Sequence, residues 1–144
     1  MKITLVTLTF YLFMISPLPV FSAPCTLPST LSGKLMILEL DGQYTHNNPR
    51  AGELQEFSFS KTQLTERSLH TGETLSGKYS YQVLAADIAL ITTTLMQQDT
   101  LVSSFELTLM CQDEKTGRYI FSQSQGSEAP VVRQNVGSYF FMPN

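Results

Sequence analysis

The stretch Gly77–Leu95 constrains this chain more than any other, because its side chains alternate with a period of two. Tyr79, Tyr81 and Val83 fall on one face of an extended segment and Lys78, Ser80 and Gln82 on the other, which suits a strand with one dry face and one wet face. Past a polar interruption at Asp87, Ala89, Ile91, Thr93 and Leu95 form a second such face, so the segment reads as a hairpin or part of a meander. Ala85–Met96 has some helical propensity, but the β-branched run Ile91-Thr92-Thr93-Thr94 favours extension.

The same period recurs along the chain. Lys34–Leu40 sets Met36, Leu38 and Leu40 on the better core face. Phe57 and Phe59 face together in a short strand, and Gln63–Ser68 returns beside it with Glu66 and Arg67 on opposite faces. Later, Phe105, Leu107, Leu109 and Cys111 share one face, while Tyr119, Phe121 and Gln123 oppose Arg118, Ile120 and Ser122. Asp41-Gly42 marks a turn, residues 46–52 an exposed loop, residues 70–77 and 96–100 polar connections, and Lys115-Thr116-Gly117 a hairpin turn. A last strand uses Val136 and Tyr139–Met142. The expected fold is all-β: an antiparallel barrel of about seven to nine short strands, because closure removes exposed edges, with a β-sandwich as the alternative.

The two ends point to export. Lys2 precedes an apolar run from Ile3 to Ile15 and then Ser16-Pro17-Leu18-Pro19-Val20-Phe21-Ser22, the layout of a secretory signal peptide over residues 1–22. Residues 23–144 then form a single β domain, periplasmic or extracellular. The chain carries nine Lys and Arg against twelve Asp and Glu. Losing the leader removes Lys2 and no acid, so the remainder is more acidic still, with scattered charges and no basic run. Nucleic acid is therefore excluded as a default partner, and no second apolar run supports stable membrane insertion. Cys25 and Cys111 are the only cysteines, and in an exported chain they are expected to form a disulfide that pins the start of the domain to a late strand. Pro24 departs from the small residue that a lipid-modified Cys25 would follow.

Phe57-Ser58-Phe59, Gly77-Lys78-Tyr79-Ser80-Tyr81, the apolar strand after them and the Lys115–Gly117 hairpin together resemble lipocalin-like or calycin-like small barrels. Within these the chain is most similar to the MoaF-like group, over about residues 32–139. The chain has no tryptophan, and Gly33-Lys34-Leu35 stands where ordinary lipocalins carry Gly-x-Trp. The resemblance therefore implies a barrel and brings no catalytic residue with it.

No arrangement of residues carries recognisable chemistry. His46 and His70 sit in separate loops outside any His-x-His or His-Glu-x-x-His pattern, and Asp87, Asp99, Asp113 and Glu114 form no calcium loop. Ser32 and Ser138 adjoin glycines without a nucleophile-elbow motif. The chain is expected to be non-enzymatic, with no catalytic residue, metal or cofactor. The first functional expectation is an exported protein-interaction or inhibitor-like scaffold, its candidate surface formed by Tyr44, Arg50, His70, Tyr139, Phe140 and Phe141. The alternative is a barrel that binds a small hydrophobic ligand against Tyr79, Tyr81, Phe105, Leu107, Tyr119 and Phe121. A pilin-like structural subunit is the third.

Overall fold

The computed structural model describes residues 25–127 and 129–143, so the expected leader at 1–22 lies outside the described residues. Eight strands follow one another: β1 (Leu35–Leu40), β2 (Leu54–Phe59), β3 (Gln63–Ser68), β4 (Thr74–Ala85), β5 (Ile88–Gln97), β6 (Thr100–Cys111), β7 (Thr116–Gly126) and β8 (Arg133–Phe141). Each pairs antiparallel with the next, and β8 returns to β1 from Met36↔Phe141 to Leu40↔Gly137. The sheet is thus a closed up-and-down barrel, calycin-like in its general topology, and the sandwich alternative does not apply.

The alternation read from the sequence decides what fills the lumen. Met36 and Leu38, Phe57 and Phe59, Ile91 and Leu95, and Phe105, Leu107 and Leu109 all point inward and are buried. An aromatic chain crosses the interior: Phe59 packs on Tyr79 and Phe57, Phe57 on Phe105, and Phe105 on Phe121, with ring centroids 4.9–6.4 Å apart. Outward positions carry Lys78, Ser80, Gln82, Thr92, Glu106 and Arg118. Val83, Val136 and Phe140 are exposed beside them, so the outer surface is mixed. Among the described residues no helix is long and apolar enough to cross a membrane.

Several boundaries differ from the sequence reading, each for a local reason. Gly77 lies inside β4 instead of ending a connection, and the position requires glycine because a Cβ there would collide with the Thr94 carbonyl oxygen on β5. The turn before β4 is made by residues 69–73, where Gly72 takes φ +75° and donates its N–H to Ser68 O. Gln98 and Asp99, both with positive φ, form a two-residue turn, so the connection expected over residues 96–100 is shorter, with β5 running to Gln97 and β6 starting at Thr100. Gly117 also lies within a strand. The turn before it is held by Asp113, whose carboxylate accepts hydrogen bonds from Lys115 N, Thr116 N and Thr116 Oγ1 at 2.8, 2.8 and 2.6 Å.

The strand order sends the chain start and the β2–β3, β4–β5 and β6–β7 turns to one end of the barrel. That end is stoppered by a strap, residues 25–34. Leu27 and Leu31 of the strap join the buried core. Leu27 N donates to Ala86 O at 2.8 Å, Tyr81 Oη to Pro28 O at 2.8 Å, and Gly33 N to Phe59 O at 2.7 Å. Cys25 and Cys111 are disulfide-bonded and fix the strap to the end of β6, closing a sequence separation of 86 residues. Replacing both cysteines by serine is expected to lower the unfolding free energy by about 2–5 kcal/mol through the freed unfolded chain, measured by urea denaturation. A loss below about 1 kcal/mol would mean that Leu27 and Leu31 hold the strap unaided.

Candidate functional site

At the end opposite the strap the lumen opens into a pocket of about 60 Å³. Its floor is the aromatic and aliphatic interior, chiefly Phe57, Phe105, Leu107, Tyr119 and Phe121. Its wall is polar and charged: Arg50, Gln55, Glu66, Gln123, Arg133 and Asn135. Room of this size admits several water molecules or a compact organic group, well short of a drug-sized ligand.

Strand phase places every wall residue but Arg50. Glu66 alternates in step with Leu64 and Ser68 on β3, so it turns inward, while Arg67 turns out and forms a bidentate pair with Glu56. Arg133 and Asn135 keep step with the buried Gly137 and Tyr139 on β8. The Arg133 guanidinium carbon lies 5.8 Å from the centre of the Phe121 ring, in cation–π range. Arg50 arrives from the β1–β2 connection. Gln123 accepts from Ser103 Oγ at 3.2 Å and donates to Val131 O at 2.9 Å, which ties β6 and the β7–β8 connection to the wall.

Two features of the wall are chemically unusual. Glu66 is about nine-tenths buried, and burial pushes its carboxyl up to about 7, with Arg50 and Arg133 opposing that rise and Glu73 and Glu53 reinforcing it. Asn135 supplies the second. Asn48 spends its amide hydrogens on Asp41 O and Gln43 O, at 2.8 and 3.0 Å, so its Oδ1 faces Asn135 Nδ2 at 3.5 Å. That fixes Asn135 with its own Oδ1 turned away from Asn48, buried and without a hydrogen-bond partner among the described residues.

The residues singled out from the sequence divide between the two ends and the outer surface. Phe105, Leu107, Tyr119 and Phe121 meet at the pocket floor. Tyr79 and Tyr81 do not reach it. Their hydroxyls donate to Ser60 O and Pro28 O toward the stoppered end, and burial pushes the Tyr81 phenol up to about 12. Tyr139 and Phe141 are not part of an exposed aromatic surface: both point into the lumen and are buried, because they share the phase of Gly137, and only Phe140 faces outward. Tyr44 is 75% exposed. Arg50 joins the pocket wall, and His70 lies beside it on the outside, in a shallow groove with Leu54 and Leu69. Among the described residues no group of three or more His, Cys, Asp or Glu could hold a metal.

Comparison of the chain with family models, with curated proteins and with solved structures finds no match. The geometry of the pocket therefore carries the functional reading.

The Glu66 carboxyl gives a pH-dependent stability of defined sign. Its ordinary value is 4.5 and its folded value about 7, so the folded protein holds the proton longer than the unfolded chain does. Stability must then fall as pH rises from about 4.5 through 7 and level off above, by about 3 kcal/mol in all. Glu66→Gln lacks this titration. Its stability relative to the native protein is expected to rise by about 2–3 kcal/mol between pH 5 and pH 8 in urea denaturation, whereas a difference independent of pH would show that the carboxyl is solvated.

Proposed function

We propose that this protein is an exported, non-enzymatic small-molecule-binding barrel whose ligand enters at the end opposite the disulfide-anchored strap. The observation that carries this reading is the asymmetry of the lumen. One end is filled by Leu27 and Leu31 and tied by Cys25–Cys111, while the other leads to a pocket with an aromatic floor and a wall of convergent polar groups. Apolar floors with a few directed polar groups are the usual make-up of ligand sites. A packed structural core would be expected to exclude groups such as Glu66 and Arg133. Export is supported by the leader-like start and the disulfide.

A protein-interaction role is the second reading, favoured by one feature. Leu54 and Leu69, both more than 40% exposed, share a shallow groove with Arg50 and His70, and Tyr44 extends from the neighbouring part of the β1–β2 connection. A pilin-like role is the least supported, since strand donation needs an open sheet edge and the strand order is closed. Kinship with the MoaF-like group rests on the Phe57–Phe59 and Gly77–Tyr81 patterns and adds no ligand.

Native mass spectrometry of the disulfide-bonded protein, isolated from its natural compartment, separates these readings. The ligand reading expects a small mass that is released on denaturation. A second polypeptide in place of that mass would favour the groove, and a bare chain would contradict ligand retention.

A further inference from the structure

The pocket also indicates a class of ligand, an inference that rests on the ligand-binding reading above. One side chain of the wall is both within a ligand's reach and unmet. Glu66 is about nine-tenths buried, lines the pocket, and forms no hydrogen bond or ion pair with any described residue. Asn135 Oδ1 is also unmet, but it is enclosed too completely for a ligand to touch. Arg50 and Arg133 act on Glu66 from beyond ion-pair range, and each already holds an interaction of its own.

The register sets this carboxyl among apolar neighbours, with Phe57 opposite it on β2 and Leu75 opposite it on β4. From Phe57 the rings continue to Phe105 and Phe121, with centroids 6.2 and 4.9 Å apart. Aromatic rings attract cations, and the Arg133 guanidinium already lies 5.8 Å from the centre of the Phe121 ring. An unpaired carboxyl beside aromatic rings in a small cavity is a setting that suits an ammonium group.

We propose that the pocket takes a compact alkylammonium compound: its N–H groups donating to the Glu66 carboxylate, its charge lying beside Phe57 and Phe105, and its short alkyl part resting toward Leu107. A carboxylate ligand would be repelled by Glu66 itself. An uncharged alcohol can donate to Glu66 but leaves its buried charge uncompensated. A long diamine does not fit, since its second charge would be driven into the packed core.

The charge balance at Glu66 supports this choice. The charged groups acting on it are Arg50 from the β1–β2 connection, Arg133 from β8, Glu53 just before β2 and Glu73 before β4. Burial outweighs the two guanidinium groups and pushes the carboxyl up to about 7, so Glu66 is short of positive charge even with both of them acting on it. An ammonium group supplies that charge, and its binding releases the Glu66 proton. Affinity should therefore rise by up to about tenfold per pH unit toward pH 7 and stay level from there to about pH 9, where an alkylamine is still charged.

The test uses propylammonium, 1-propanol and propionate as probes on the mature disulfide-bonded protein, at constant ionic strength, with dissociation constants taken from backbone amide shifts in NMR titrations at pH 5 and pH 8. At pH 8 propylammonium is expected to bind at least about tenfold more tightly than either of the others, with shifts centred on Phe57, Glu66 and Phe105. It should weaken by at least about tenfold at pH 5, while 1-propanol changes by less than about twofold. Glu66→Gln should cost propylammonium at least about tenfold at pH 8 and leave 1-propanol within about twofold. Should that variant unfold, the native protein gives a second measurement: excess propylammonium should lower the titration midpoint of the Glu66 carboxyl by at least about one pH unit. Equal binding of propylammonium and 1-propanol, or an unmoved Glu66 midpoint, would overturn the ammonium assignment while leaving a ligand-binding barrel. Propylammonium failing to bind a protein that releases some other small molecule in native mass spectrometry would do the same. Failure of all three probes together with a bare chain would overturn both readings.

Discussion

The pairing of β8 with β1 is the constraint on which everything else in this molecule depends. Through the register Met36↔Phe141 to Leu40↔Gly137 it turns a twisted antiparallel sheet into a closed wall with an inside and an outside. A small side chain is required at the seam: a Cβ on Gly137 would collide with Glu39 O and the Tyr119 ring. Once the wall is closed, the two-residue period sends half of every strand into one narrow lumen. The chemistry of that half-set then decides whether the lumen is core or site.

The two ends answer that question differently. At the strap end the inward groups are mostly apolar, with the Tyr79 and Tyr81 hydroxyls donating to backbone carbonyls and the buried Tyr139 Oη left without a hydrogen-bond partner among the described residues. At the other end the inward half-set includes Glu66, Arg133 and Asn135, which would each be exposed if their strands slipped by one residue. Burying a carboxyl disfavours its charged form, and the nearby guanidinium groups offset only part of that effect. A barrel that served only as a scaffold would gain stability from leucine at these positions. Their presence at the open end is what supports the proposed ligand-binding reading.

Much of the fold was legible in the sequence because a strict period of two is hard to satisfy in any other way. The inward faces of Met36–Leu40, Phe57–Phe59, Ala89–Leu95, Phe105–Cys111 and Tyr119–Gln123 follow directly from it, as does the disulfide from two cysteines in an exported-looking chain. The site was less legible. Glu66 and Arg133 look like ordinary surface charges in isolation, although the phase they share with Leu64 and Tyr139 marks both as inward. Strand phase does not say how far along the lumen a residue lies, so Tyr79 and Tyr81 were grouped with Phe105 and Phe121 although they serve the opposite end. The Tyr139–Phe141 cluster read as one aromatic surface, whereas a strand must split any three successive residues between its two faces.

The most direct test of a charged, partly dry site at the open end is the titration of the Glu66 side-chain carboxyl by carbon-detected NMR in the ligand-free protein. A midpoint near pH 7 is the result expected from a carboxyl enclosed with Arg50 and Arg133 above an aromatic floor. A midpoint near the ordinary 4.5 would place Glu66 in bulk water and remove the physical basis for reading this end of the barrel as a site.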